Sequence, residues 1–115
     1  MGLGYLLVAV QAALFHHRQN FRAPAMWLPV IGGLLIGLFA LLWTLADTAA
    51  LALPVKILFW IGAAAGLAGF YYHFRGVGQR VGGYAYRNFL VGPPVILPLM
   101  LSALAAVGLF AAYWR

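Results

Sequence analysis

The chain has 115 residues, 66% of them hydrophobic and 7% charged, with a mean hydropathy of +0.99. A soluble domain carries roughly 25% charged residues, so this chain has too few charges to cover a water-facing surface, and lipid is the expected solvent. Seven Lys and Arg residues stand against a single acid, Asp47, and cysteine is absent, which excludes a disulfide framework, a thiolate zinc site, a Cys-ligated iron–sulfur cluster and covalent c-type haem.

The first run covers about residues 3–19, with Gln11 as the strongly polar residue of its apolar part; that part ends at Phe15, and His16, His17, Arg18 and, further on, Arg22 come after it. A secretory leader would place bases before its apolar core. Here they come after it, the pattern of a segment inserted with its N-terminus outward. The second run, about 25–46, contains Gly33 and Gly37 at GxxxG spacing. Two glycines four apart share a helix face and let another backbone approach. The connection that follows holds Asp47, and Lys56 lies just beyond it, close enough to pair.

The third run, about 53–74, carries Gly62, Gly66 and Gly69 and ends on His73 and Arg75. The third connection, 75–94, holds Arg80 and Arg87. Its Gly76, Gly78 and Gly82 give G-x-G-x-x-x-G with no strand before them, which is not a dinucleotide fingerprint. Residues 84–91 are short and aromatic and suit a helix lying flat at the interface, with Arg87 toward anionic headgroups. The fourth run, about 95–114, has a weaker small-residue pair, Ser102 and Ala106.

Each run approaches the ~20 residues needed to cross a ~30 Å hydrocarbon core, and none shows the alternation of a membrane β-strand. The expected fold is an all-α integral membrane protein, a single four-transmembrane-helix bundle. A weak internal repeat suggests two parallel hairpins. His17-Arg18 and His73-Phe74-Arg75 end the odd-numbered spans, and Pro24/Pro29 and Pro93/Pro98 open the even-numbered ones. Orientation follows from the bases. Arg18, Arg22, Arg75, Arg80 and Arg87 lie in the first and third connections, whereas Lys56 and Arg115 lie toward the other side. The first and third connections are therefore expected in the cytoplasm and both termini outside, in a bacterial-type inner membrane. The bases then face anionic headgroups or a partner protein, and nucleic acid is not an expected partner.

Chemistry is sparse. Without an acid inside a span there is no proton relay, and Ser102 has no histidine at its depth to act as base. No enzyme activity and no cofactor are expected, and metal ligands are too few. The expected role is a non-catalytic membrane subunit, anchor or assembly partner, in contact with a partner membrane protein or with further copies of itself. The glycine faces serve helix packing.

The alternative rests on the three histidines, all at one end because odd-numbered spans run in one direction. Two histidines from different helices can clamp a b-type haem, and arginines can pair its propionates. In this architecture alone the chain resembles the membrane anchors of respiratory dehydrogenases. That resemblance implies haem or quinone binding by His73 with His16 or His17. Those two are adjacent, so at most one points inward. In size the chain also resembles small multidrug-resistance transporters. Their membrane-embedded glutamate has only Gln11 as a counterpart here, which leaves small-solute transport a second alternative.

Overall fold

The computed structural model describes residues 1–115 and is wholly helical: α1 (Gly2–His17), a 3-10 turn (Pro24–Trp27), α2 (Leu28–Ala46), α3 (Ala49–Arg80), α4 (Tyr86–Val91) and α5 (Ile96–Trp114). Three helical stretches are long and apolar enough to cross a membrane: Pro24–Ala46, Ala49–Arg80 and Ile96–Trp114. The remaining long helix, α1, has 16 residues and measures about 24 Å at 1.5 Å per residue. It is shorter than the expected span over 3–19 because Asn20 and Phe21 turn left-handed, with φ of 54° and 45°, and Pro24 begins the next element.

The long helices form a ring. α1 packs against α2, α2 against α3 and α3 against α5, and a thinner contact joins α5 to α1. α1 and α3 are therefore diagonal. They run in the same direction: the Tyr5 ring lies 6.0 Å from Phe59 near one end, and the His16 ring lies 6.3 Å from His73 near the other. α1 with α2 and α3 with α5 thus make two hairpins oriented alike.

Small residues set the spacing. A Cβ on Gly33 would stand 2.9 Å from that of Ala9, and one on Gly37 would stand 2.8 Å from Leu6 Cδ2. A Cβ on Gly62 would meet the Tyr5 hydroxyl at 2.8 Å, and one on Gly66 would lie 2.7 Å from the Pro98 carbonyl oxygen and the Ser102 backbone nitrogen. Gly69 sits against Pro98, and Gly108 against the Phe59 ring. Helices that pack in lipid approach closely through such positions. The larger apolar side chains point outward instead, among them Leu7, Leu34, Leu38, Leu42 and Phe110.

The main buried cluster includes Tyr5, Ile36, Trp43, Val55, Phe59, Leu101 and Leu109. It occupies the half of the bundle nearer the chain termini. Polar side chains along the helices are used locally. The Tyr5 hydroxyl donates to the Leu101 carbonyl at 3.1 Å, Ser102 Oγ to the Ala63 carbonyl at 2.7 Å, and Thr44 Oγ1 to the Ala40 carbonyl at 2.8 Å.

Three expectations are corrected. First, α3 begins at Ala49, with Thr48 Oγ1 accepting from the Ala50 amide, and it continues through Arg80 where a loop was expected from residue 75. Gly76 and Gly78 belong to this helix: they make room for Pro93 and for the Tyr84 ring. Second, the residues after α3 fold back as a cap, and the short helix expected over 84–91 spans Tyr86–Val91. Third, Asp47 pairs with Arg115, not Lys56. Arg115 also lies 4.6 Å above the Trp43 ring, while Lys56 Nζ sits 4.6 Å above Tyr113.

Candidate functional site

The two arginine-bearing connections meet at one end of the bundle. His16 lies in the last turn of α1 and is only 8% exposed, whereas the next residue, His17, faces outward. Across the diagonal, His73 is half-buried on α3. The two rings stand 6.3 Å apart with their planes at 81°. The fold therefore brings His16 and His73 together and leaves His17 outside.

The surroundings of the two rings differ. His73 Nδ1 donates to the Pro94 carbonyl at 2.6 Å. A carbonyl accepts only, so the proton belongs on Nδ1 and Nε2 keeps its lone pair in the neutral ring. His16 Nδ1 is the one buried side-chain nitrogen or oxygen in the molecule without a hydrogen-bond partner. Buried polar groups are nearly always paired, so this nitrogen marks the site.

The walls come from the connections. After α1 the Gln19 and Phe21 amides both donate to the His16 carbonyl at 3.0 Å, and the chain reverses through Asn20 and Phe21. A phenylalanine at positive φ is strained. Here the strain places the Phe21 ring 6.1 Å from His16 and stacks it on Trp27 at 4.0 Å. On the α3 side, Gly82 and Gly83 take φ of +84° and +127° and reverse the chain. Phe74, Tyr84 and Phe89 then form an aromatic cluster with centroids 4.9 to 6.3 Å apart. Asn88 Nδ2 donates to the Gly83 carbonyl at 2.9 Å and closes the cap.

Arg18, Arg22, Arg75, Arg80 and Arg87 are all exposed around this end, and Arg18 lies 5.8 Å from the Phe15 ring centroid. No acid accompanies them. Asp47 is at the opposite end, where a cavity of about 220 Å³ is lined by Met1, Trp43, Thr44, Phe59 and Arg115 among others. Gln11 is exposed on the outside of α1. Gly33, Gly37, Gly62, Gly66 and Gly69 all lie against other helices of this chain.

Histidine placement and arginine clustering were readable from the sequence. The roles of Phe21, Trp27, Tyr84, Asn88 and Pro94 were not. Their one signal was composition, an aromatic and Gly-Pro-rich text between apolar runs, and that text does not say which ring meets which. Comparison of the chain with protein-family profiles, curated proteins and solved structures gives no match.

Proposed function

We propose that the chain is a four-helix integral protein of the bacterial inner membrane, acting as a non-catalytic subunit, anchor or assembly partner of a larger complex. The observation that carries this reading is the polarity of the two ends. Five arginines without an acid gather at the end where the first and third connections meet, and both termini lie at the other end with Asp47. Between the ends the outer surface is apolar. Bases concentrate on the cytoplasmic side of inner-membrane proteins, so the connections face the cytoplasm and the termini face outward. In this reading α1 enters the bilayer beside the three longer helices.

The polar side chains within the helices support a non-catalytic role. Tyr5, Thr44 and Ser102 each donate to a backbone carbonyl, which favours structural use over chemistry. Gln11 faces outward, which weighs against a transport path through the bundle.

Reporter fusions after Arg22, Asp47, Arg80 and Arg115 test the orientation. Cytoplasmic signal at the first and third alone is the expected result, and the reverse pattern overturns it. The role itself is tested by purifying the chain alone into vesicles. Movement of a solute by that preparation would sink the subunit reading. Migration in a native gel of mildly extracted membranes well above the mass of the chain would support it.

A further inference from the structure

We propose that the groove between α3 and α5, in the half of the bundle nearer the termini, holds one acyl chain of an anionic phospholipid whose phosphate docks on Lys56 and Tyr113. The inference rests on the membrane reading, because it takes lipid as the medium around the bundle. Shape, charge and hydrogen bonding each point to it.

The groove has a volume of about 410 Å³, and the side chains that line it are all apolar or aromatic. It exists because two of its positions are small. Ala63 on α3 and Ala106 on α5 leave a hollow, and the nearly buried Leu109 closes it toward the core. Trp60 makes the wall on α3. The stacked rings of Phe110 and Trp114, 5.5 Å apart, make the wall on α5. All three rings are exposed, so no other helix of the chain covers the groove. Lys56 stands one turn before Trp60 and about 10 Å along the helix axis from Ala63. A chain lying in the hollow therefore has its headgroup end at Lys56.

Charge selects the occupant. Lys56 Nζ sits 4.6 Å from the Tyr113 ring centroid and has no carboxylate partner. The single acid of the chain, Asp47, is engaged by Arg115. A second copy seated on this face would bring no free carboxylate to Lys56. An anionic phospholipid brings a net negative charge and an apolar tail in one molecule, and a lysine at the membrane surface attracts it.

Hydrogen bonding completes the mouth. Trp60 Nε1 donates to the Tyr113 hydroxyl at 3.4 Å. That bond uses the phenol as an acceptor and leaves its own proton to give to a phosphate oxygen. The two rings thus join their polar tips at the mouth and line the groove with their apolar bodies, the posture of such side chains at headgroup level. The five arginines lie at the opposite end of the bundle and take no part.

The test is competition in mild detergent. The full chain is given equimolar phosphatidylglycerol and phosphatidylcholine of identical acyl length, and bound lipids are counted by native mass spectrometry. Phosphatidylglycerol should be preferred about fivefold, the factor that one lysine contributes at an anionic surface. Lys56→Gln should remove that part of the preference and Lys56→Arg should keep it. Ala106→Phe fills the hollow and should bind one phospholipid fewer, which a contact with the phosphate alone would not show. Lipid held at the arginine end persists in every variant, so it cancels in the comparison. A preference unchanged in Lys56→Gln overturns the proposal, as does an unchanged lipid count in Ala106→Phe. A dimer of the parent chain that Ala106→Phe splits would assign the groove to a second copy and overturn it too. If Ala106→Phe fails to fold, the exposed-side change Lys56→Gln decides. The reporter fusions read orientation without reference to this groove, so the two readings can fail separately.

Discussion

Gly66 sets how closely α3 and α5 can lie. A methyl group there meets backbone atoms of α5, the Pro98 carbonyl oxygen and the Ser102 amide nitrogen, each at 2.7 Å. Neither can rotate away, so the helices must separate. Forcing extra atoms into a filled site typically costs about 1–3 kcal/mol, and Gly66→Val is expected at the upper end of that range. Gly32 is the control, since a Cβ there has nothing within 4 Å. Tyr5→Phe should fall between them: its hydroxyl serves the Leu101 carbonyl, which the helical ladder already engages, and interhelical hydrogen bonds in membranes average about 0.6 kcal/mol. Thermal unfolding in one detergent should rank the losses as Gly66→Val, then Tyr5→Phe, then Gly32→Ala. A Gly32→Ala variant as damaged as Gly66→Val would refute this packing. The exposed pair of Asp47 and Arg115 contributes about 0–1 kcal/mol at most, screened by solvent. At this scale the sequence was half legible. The GxxxG spacing identified the close faces, but spacing alone does not say that Gly66 meets Ser102 or that Gly62 meets Tyr5.

Among the elements, α3 and the cap after it show where local reading ends. Glycine in a helix interior is less favourable than alanine by about 1 kcal/mol, so a text with Gly76 and Gly78 reads locally as a loop. The helix continues because those two positions accept Pro93 and the Tyr84 ring from later in the chain. That gain is non-local and has no signature at the glycines themselves. The four long helices were plain from hydropathy, and a short element near residues 84–91 was plain from its aromatics. Their ends were not, because caps and tertiary contacts place them. Phe74 joins the cap to α3 by stacking on Tyr84 and touching Phe89. Phe74→Ala is therefore expected to loosen the cap while leaving the spans intact. Limited trypsin digestion in detergent should then cut after Arg80 and Arg87 several-fold faster than in the parent chain. An unchanged rate would mean that the cap is held by Asn88 and the backbone alone.

At the scale of the whole molecule, helices of unequal length stand side by side. α1 measures about 24 Å against a hydrocarbon core of ~30 Å, whereas the 32 residues of α3 measure about 48 Å. If α1 enters the bilayer as proposed, the lipid beside it must give way by roughly 6 Å, at fractions of a kcal/mol per Å. Reconstitution into phosphatidylcholine vesicles of increasing acyl length should show greatest thermal stability in the thinner bilayers, and a maximum in the thickest would argue against a membrane-embedded α1. The consequence reaches past stability. Under that proposal, a bilayer pinched on one flank would carry its phosphates and their water down toward His17 and Arg18, and the protein would work as a wedge. On that flank the aqueous phase would stand nearer the buried imidazole of His16 than the length of a full span would allow.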